Sequence, residues 1–252
     1  MNRKIGIIGS TGRMGLLLQE KIAKHPHFVN GPGFSRSQLA NTSLMRVFSE
    51  NDYLIDFSNP ELMQSILETA LVIPKPLVIC TTGWNPESYQ ELLNQVIRKM
   101  PVVLASNTSI GAYLQKQLVQ EISKILGSDY DIDILEKHHR YKVDIPSGTA
   151  RSLIQEIQNV KNTHQSLVYE ASMLEKGPRK DNVIGISIQR SGNIPGDHEV
   201  TFTSDDEMIS IRHVAFSRNL FAQGALRIVE WLDHARPQPG LYTMQDVLKI
   251  SL

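Results

Sequence analysis

The chain has 252 residues, enough for one large or two modest domains, and 41% of them are hydrophobic, enough for a sizeable core. Its 26 Lys and Arg residues balance 26 Asp and Glu residues, which argues against a general affinity for nucleic acid or for an anionic membrane surface. The single cysteine, Cys80, excludes an intrachain disulfide, and no run approaches about 18 apolar residues. We therefore expect a cytoplasmic protein with no nucleic-acid or membrane partner.

The first half of the chain alternates strand and helix patterns. The β-branched run at residues 4–9 predicts a strand, and the apolar spacing of residues 14–23 predicts a helix after it. Four more strands are expected, at residues 28–34, 53–57, 76–80 and 101–105. Helices are expected to begin near Pro60 and Pro86. This alternation favours a doubly wound parallel sheet, because parallel strands need crossover connections and these are usually helices.

The pattern changes after a helix predicted at residues 110–126. A strand at residues 130–135, a polar loop and a helix at residues 148–158 come next. Three strand-like runs joined by short turns follow, at residues 183–190, 198–203 and 208–214. They favour an antiparallel meander, so this part has an α+β pattern with a mixed or antiparallel sheet. With a last helix at residues 219–234 that returns to the first domain, we expect one domain of residues 1–109 and 219–252 and another of residues 110–218.

A glycine-rich loop joins the first predicted strand to the first helix. Gly9, Gly12 and Gly15 have the spacing G-x-x-G-x-x-G, one residue away from the usual dinucleotide-binding pattern. Gly9 and Gly12 permit a tight turn close to a phosphate, and Gly15 lets the helix lie against the strand. We expect a pyrophosphate site in a Rossmann-like domain. The alternative is a turn that needs glycine for backbone reasons alone.

The end of the second predicted strand bears on the choice of cofactor. Sites that bind NAD usually place Asp or Glu there to hold the ribose hydroxyls. This chain has Ser35 and Arg36 instead, and no acid follows until Glu50. Because an Arg side chain offers two parallel hydrogen bonds to a phosphate, we expect a preference for NADPH over NADH. The alternative is that Arg36 is a solvated surface residue.

The densest group of polar residues lies at 136–150 and includes the adjacent His138 and His139. Metal binding by this pair is disfavoured, since neighbours on a strand point to opposite faces and no Cys or well-spaced carboxylate completes a coordination shell. We therefore predict no metal site. Ser147 is the predicted N-cap of the next helix, where amides, hydroxyls and the positive helix end favour a carboxylate. Lys142 and the histidines beside it would add charge and a proton donor, so we predict a site for a small dianionic substrate.

Residues 136–150 also resemble the signature E-x-H-H-x-x-K-x-D-x-P-S-G-T-A of bacterial 4-hydroxy-tetrahydrodipicolinate reductase, also called dihydrodipicolinate reductase, of diaminopimelate and lysine biosynthesis. Similar segments extend over almost the whole chain, at residues 9–15, 55–58, 81–84, 105–111, 190–192, 196–198, 217–225 and 240–248. The resemblance implies the reduction of 4-hydroxy-tetrahydrodipicolinate, a cyclic imine dicarboxylate, to tetrahydrodipicolinate by NADPH or NADH. It also implies a homotetramer that assembles through the sheet of the second domain.

The resemblance implies roles for individual residues. The catalytic pair would be His138, as the general acid, and Lys142, which supports proton delivery. Substrate carboxylates would be held by His139, Ser147, Gly148 and Thr149. The pyrophosphate would contact Gly9, Gly12, Arg13, Met14 and Gly15, and the adenosine ribose would contact Ser35 and Arg36. The nicotinamide side would be lined by Thr82, Gly83, Ser106, Asn107 and Thr108, with Arg218 and Phe221 closing the cofactor pocket.

Three features of the sequence depart from the family pattern. The segment 30–51 is short, Ser35 stands where many relatives have an acid, and Thr108 stands where an aromatic residue is common. Two other functions remain as alternatives. One is a different two-domain dehydrogenase acting on an amino or imino acid, and the other is a noncatalytic sensor that binds NADPH.

Overall fold

The computed structural model describes residues 2–35, 43–126, 129–161, 166–169, 178–179 and 183–249. The chain separates into two compact units. The first unit consists of Met1–Thr108 and Asn219–Ser251, and the second consists of Ser109–Arg218. Strands and helices are numbered below in chain order through both units. None of the helices within the described ranges is long and apolar enough to cross a membrane.

The first unit is built on a six-stranded parallel sheet. Its strands are β1 (Arg3–Ile8), β2 (Phe28–Asn30), β3 (Tyr53–Asp56), β4 (Leu77–Ile79), β5 (Pro101–Leu104) and β11 (Gly240–Tyr242). Their order across the sheet is β11-β5-β4-β3-β1-β2, and each neighbouring pair is parallel. The predicted doubly wound, Rossmann-like sheet is confirmed, and β11 adds an edge strand that the sequence analysis did not predict.

Helices cover this sheet in two layers. They are α1 (Arg13–Ala23), α2 (Leu44–Glu50), α3 (Met63–Val72), α4 (Gln90–Ile97), α7 (Asn219–Ala235) and α8 (Met244–Leu248). Single 3-10 turns at Pro60–Leu62 and Pro86–Tyr89 precede α3 and α4. Side chains of α2, α3 and α4 form a buried cluster with strand residues such as Leu54. Helices α1 and α7 pack against each other, which explains why the chain returns to this unit after residue 218.

Strand β2 is shorter than the sequence pattern predicts. Its ladder ends at Asn30, and only an isolated bridge between Ile8 and Phe34 continues it. The intervening residues include Pro32, which lacks the backbone N–H that a ladder needs. The chain nevertheless stays beside β1, since Phe34 donates its backbone N–H to the Ile7 carbonyl oxygen at 2.9 Å.

The second unit contains a five-stranded mixed sheet. Its strands are β6 (Asp131–His138), β7 (Ser166–Tyr169), β8 (Val183–Arg190), β9 (Gly196–Thr203) and β10 (Met208–Ala215), in the order β10-β9-β6-β8-β7. Helices α5 (Ile110–Ile125) and α6 (Gly148–Lys161) pack together. Their side chains form a core with the sheet that includes Val119, Ile157 and Phe202.

The mixed sheet is confirmed, but the predicted meander is wrong for its first strand. Strands β9 and β10 are antiparallel neighbours, whereas β8 pairs in parallel with β6, which lies between β8 and β9. The residues at the start of β8, from Val183 to Ile186, are all buried. A continuous buried run is typical of a parallel strand covered on both faces, and this signal outweighs the short connection to β9.

Strand β6 also extends further than predicted. Residues 136–138 were predicted to lie in a polar loop, but the strand continues to His138. Buried residues alternate along it, so that Glu136 and His138 are buried together with Ile132 and Ile134. Because Glu136 and His138 are polar, the alternation of buried and less buried residues could not be recognised in the sequence. This extension places both side chains on a rigid element at the centre of the sheet.

A close contact between α7 and the segment after β5 generates a stability prediction. A Cβ atom added to Gly224 would lie 1.8 Å from the backbone oxygen of Thr108. We therefore expect Gly224→Ala to destabilise the first unit by about 1–3 kcal/mol, since backbone atoms must move to make room. Urea unfolding followed by tryptophan fluorescence would measure the loss. The substitution of its exposed neighbour, Gln223→Ala, is the control. Equal stability of the two variants would contradict the predicted steric clash at Gly224.

Candidate active site

The glycine loop connects β1 to α1, as predicted. Gly9 has a φ of 90°, a conformation that residues with a side chain rarely adopt, and a Cβ there would lie 2.4 Å from the Phe57 carbonyl oxygen. A Cβ on Gly15 would lie 2.3 Å from the Gly9 carbonyl oxygen. Glycine is therefore required at both positions if α1 is to begin this close to the sheet.

Several amides of this loop are hydrogen-bonded within the protein. The amides of Gly9 and Ser10 both donate to the Phe34 carbonyl oxygen, at 2.8 and 3.0 Å, and the Gly12 amide donates to Gly9. Helix α1 then begins without a side-chain cap and without an acidic residue in its first turn. The first-turn amides, on Arg13, Met14 and Gly15, are the donors that fit a pyrophosphate.

Two residues were expected at the adenosine ribose. Ser35 is buried and directly follows Phe34, which bridges to the carboxyl end of β1. It therefore lies at the same edge of the sheet as the glycine loop. Arg36 lies outside the described residues, and its contact with a 2′-phosphate stays a prediction.

The residues expected beside the nicotinamide lie at the same sheet edge. Thr82 and Gly83 follow β4, and residues 106–108 follow β5. Thr108 is buried, and its hydroxyl donates to the Phe221 carbonyl oxygen at 2.7 Å. This bond fastens the segment after β5 to the first turn of α7. Arg218, predicted to act with Phe221, belongs to the second unit.

Sequence reasoning missed Asp56, which ends β3 at this edge. Its carboxylate has no exposed surface, and it accepts hydrogen bonds from the amide and the hydroxyl of Ser58. Burial raises the pKa of Asp56 above its ordinary value, although the bonds from Ser58 oppose this change. The signal in the sequence that could have identified Asp56 is that it is an acid at the end of a predicted strand. Asp56 shapes the turn that approaches Gly9.

In the second unit, Glu136 is the centre of a buried polar cluster. One carboxylate oxygen accepts the backbone N–H of Ser147 at 2.9 Å, and the other accepts from the Arg190 guanidinium at 2.8 Å. His198 lies opposite Glu136 on β9, and its Nε2 atom is 2.9 Å from the Ser147 hydroxyl. These residues match the family motifs in the sequence, but their convergence was not predicted.

His138 lies beside this cluster at the end of β6. Its Nδ1 atom is 4.0 Å from a Glu136 carboxylate oxygen, and its ring centre is 4.9 Å from that of His198. The ring also lies over Gly196, where a Cβ would be 3.4 Å from its Nε2 atom. Burial lowers the pKa of His138 to about 4. Glu136 acts to raise that pKa, whereas the cations Lys142 and Arg190 lower it further.

Lys142 lies on the loop of residues 139–147, which we call the substrate loop. Its Nζ atom donates to the Asp144 carboxylate at 2.6 Å. Burial acts to raise the pKa of Asp144, but the hydrogen bond and charge of Lys142 outweigh burial and lower it. The ammonium group is thus held by a carboxylate of its own loop. His139 directly follows β6 and is half-buried.

The start of α6 has the predicted N-cap. The Ser147 hydroxyl accepts from the Ala150 amide at 3.2 Å. The Ser147 amide is bonded to Glu136, and Gly148 and Thr149 come next in this turn, where the positive end of the helix favours a carboxylate. A Cβ on Gly148 would meet nothing within 4 Å, so space is open beside it.

The cluster also bears on metal binding. Ligand atoms of Glu136, His138 and His198 lie within 4.8 Å of one another, a grouping that the sequence analysis did not anticipate. Both carboxylate oxygens of Glu136 already accept hydrogen bonds, one of them from a guanidinium. A cation would have to displace Arg190 or lie beside it, so the charge distribution disfavours a metal ion here. The absence of a metal site stays a prediction.

Together, the parallel sheet with its glycine loop and the imidazole and ammonium groups near the start of α6 define the chain as a two-unit oxidoreductase of the dinucleotide-binding class.

Comparisons with known proteins give the family. Residues 3–108 match the family model described as dihydrodipicolinate reductase, N-terminus, and residues 111–248 match dihydrodipicolinate reductase, C-terminus. Proteins named 4-hydroxy-tetrahydrodipicolinate reductase from Chlamydia caviae and Chlamydia abortus are 40% and 42% identical to the chain, each over 252 residues, with 99% of this chain and 100% of the relative covered. The chain belongs to the dihydrodipicolinate reductase family, so the resemblance seen in the sequence is confirmed.

A solved structure supports the fold. The dipicolinate-bound dihydrodipicolinate reductase from Paenisporosarcina sp. TG-14 aligns with a TM-score of 0.75, at 20% identity, over 96% of this chain and 98% of that one. At this identity the likeness concerns the architecture of the chain. The family implies a nicotinamide dinucleotide as the cofactor, and the uncapped first turn of α1 fits its pyrophosphate.

The two buried imidazoles generate a prediction about stability and pH. Burial lowers the pKa of both His138 and His198 to about 4, below the ordinary histidine value of 6.5. The unfolded chain therefore takes up protons first, and the second unit should lose stability as the pH falls from about 6.5 towards 4. Urea unfolding followed by circular dichroism at about pH 7.5 and about pH 5 would measure this loss. His138→Asn should reduce the pH dependence, and the exposed His27→Gln should not; unchanged stability at the lower pH would contradict the assignment.

Proposed function

We propose that the chain reduces 4-hydroxy-tetrahydrodipicolinate to tetrahydrodipicolinate with NADPH or NADH in diaminopimelate and lysine biosynthesis. Family membership over both halves of the chain supports this reaction. The observation that carries it furthest is the second-unit site, where buried His138 and the cation Lys142 lie near the open first turn of α6. A small dicarboxylate suits this chemistry, and the solved relative is described as bound to dipicolinate, a pyridine dicarboxylate.

The bound cofactor supplies a hydride to an electron-poor ring carbon of the substrate. Residues of the chain do the remaining work. The first-turn amides of α1 hold the pyrophosphate, with Arg13 adding a cation near it. Gly148 and Thr149 bind one substrate carboxylate through the start of α6, and His139 and Ser147 are proposed to complete that binding. Lys142 stabilises the negative charge that develops on the ring as hydride arrives.

His138 donates the proton of the reduction, and the overall reaction takes up one hydride and one proton and releases the 4-hydroxyl group of the substrate as water. With its pKa lowered to about 4, its imidazole is neutral near pH 7 when no substrate is bound. A substrate with two carboxylates brings negative charge to this region, which favours the imidazolium form. Binding of the dianion is therefore accompanied by proton uptake at His138, and the proton is in place when hydride is transferred. A noncatalytic sensor would need no such donor.

We also propose that the enzyme is a cytoplasmic homotetramer assembled through the second sheet, with no nucleic-acid or membrane partner. Strand β10 forms one edge of that sheet, and most of its side chains, such as Met208, are exposed or half-buried. An edge strand with apolar side chains at its surface is suited to pairing with another copy. The two units correspond to the proposed roles, with the first binding dinucleotide and the second binding substrate and neighbouring subunits.

The reaction can be tested with substrate made in place by the synthase that condenses pyruvate with aspartate semialdehyde. We expect NADPH oxidation that depends on the synthase, because the synthase supplies the substrate. His138→Ala and Lys142→Ala should each lower kcat by roughly 100-fold, the loss typical of acid-base or electrostatic groups. Arg140→Ala, an exposed cation in the same loop, is the matched control. Protein that binds NADPH without synthase-dependent oxidation would favour the sensor.

The cofactor preference is a separate proposal. Arg36 and Ser35 favour NADPH, since a charge-assisted hydrogen bond to the 2′-phosphate contributes about 1.5–3 kcal/mol. We expect kcat/KM to be higher for NADPH, and Arg36→Ala to lower it by roughly 10- to 100-fold for NADPH but little for NADH. Arg46→Ala, whose guanidinium is exposed and paired with Glu50, controls for the loss of a positive charge. An NADH preference in the unmodified enzyme would refute the proposal.

A further inference from the structure

Glu136 has no part in the chemistry proposed above, although it lies at the centre of the buried polar cluster. Glu136 has no exposed surface. Both of its carboxylate oxygens accept hydrogen bonds, one from Ser147 and the other from Arg190. Burial alone would raise the pKa of Glu136, but these bonds outweigh burial and keep it below the ordinary value. The side chain is therefore a stable buried anion.

The partners of Glu136 connect it to the substrate loop, residues 139–147. The Ser147 amide ends this loop and begins α6. Arg190, at the end of β8, donates to Glu136 and also to the backbone oxygen of Asp144 at 3.0 Å. Asp144 in turn accepts from the Lys142 ammonium group. A single carboxylate on β6 thus anchors the loop that carries Lys142 at two points.

Glu136 also faces His138. The other ionisable groups that influence His138 are Lys142 and Asp144 from the substrate loop, Arg190 from β8, and His198 from β9. Asp197, the neighbouring acid on β9, is paired with Arg212 through two hydrogen bonds. Of the anions that favour a proton on His138, Glu136 has the larger effect, and Asp144 adds to it.

We infer that Glu136 is a positioning residue: through Ser147 and Arg190 it holds the substrate loop and the start of α6 in place, and it supplies the negative charge against which His138 accepts its proton. This inference rests on the proposed reductase function. It gives Glu136 two separable tasks, because one depends on the reach of its side chain and the other on its charge. Two substitutions therefore test it.

Glu136→Gln removes the charge but keeps the length and an oxygen that can accept from Ser147. We expect the pKa of His138, measured by NMR titration of its ring proton with saturating dipicolinate, to fall by about 1 unit or more. The alkaline limb of the kcat profile, which reports the enzyme–substrate complex, should move down by the same amount, and kcat near pH 7.5 should fall about 10-fold or more. The KM for NADPH should stay within about 2-fold, since the proposed cofactor residues other than Arg218 belong to the first unit.

Glu136→Asp keeps the charge but shortens the reach to Ser147. We expect the KM for the substrate and the Kd for dipicolinate to rise about 10-fold, with a smaller change in the pH profile. Asp133→Asn is the matched control, because Asp133 lies on the same strand and pairs with Arg179 rather than with the cluster. It should leave the pH profile and dipicolinate binding unchanged.

The outcomes separate this inference from the proposed function. If the unmodified enzyme does not reduce the substrate, the function fails, while the NMR titration still decides whether Glu136 controls the proton on His138. A folded Glu136→Gln variant in which neither the pKa of His138 in the dipicolinate complex nor the pH profile of kcat moves would overturn the inference. If Glu136→Gln does not fold, Glu136→Asp becomes the test of the inference. Unchanged dipicolinate binding by Glu136→Asp would then overturn the positioning role.

Discussion

A carboxylate that is fully removed from water must be matched by hydrogen bonds and opposite charge, and the second unit is organised around one such group. Glu136 satisfies this requirement with the Ser147 amide and the Arg190 guanidinium. Those two bonds bring the end of β8, the end of the substrate loop and the start of α6 to one point on β6. If the carboxylate were lost, Arg190 would be left as a largely buried and unmatched cation.

The two units use helix starts in different ways. Helix α1 has no side-chain cap, and the backbone bonds of Gly9, Ser10 and Gly12 stay within the loop or reach Phe34, which directs the first-turn amides to an external anion. Helix α6 is capped by the Ser147 side chain, and the backbone amide of Ser147 donates to the Glu136 carboxylate. The first helix start suits a doubly charged pyrophosphate. The second uses the Ser147 amide to bind Glu136, and in the proposed function Gly148 and Thr149 of the same turn bind a single carboxylate.

The sequence predicted the features that depend on local signals. The strand–glycine loop–helix unit follows from the apolar run at residues 4–9 and the glycines after it, and the N-cap at Ser147 follows from its side chain. Two features of the second unit that depend on pairing between distant segments were missed. Strand β8 lies beside β6 rather than β9, and the convergence of Glu136, Arg190 and His198 depends on that register. The bond from the Thr108 hydroxyl to α7, a contact across more than one hundred residues, was also not predicted, and the expected place of Thr108 beside the cofactor stays a prediction.

The neutral state of His138 follows from the same arrangement. Its ring is buried between Gly196 and His198, and the cations Lys142 and Arg190 oppose a further positive charge. Glu136 favours the proton, but Arg190 balances much of its charge, so Glu136 alone does not hold the imidazole in its charged form near neutral pH. Two further carboxylates change that balance, since they offset the cations that face the ring. In the proposed reaction, the same dianion that accepts hydride would therefore also bring the proton to the site, which ties protonation of His138 to the presence of substrate.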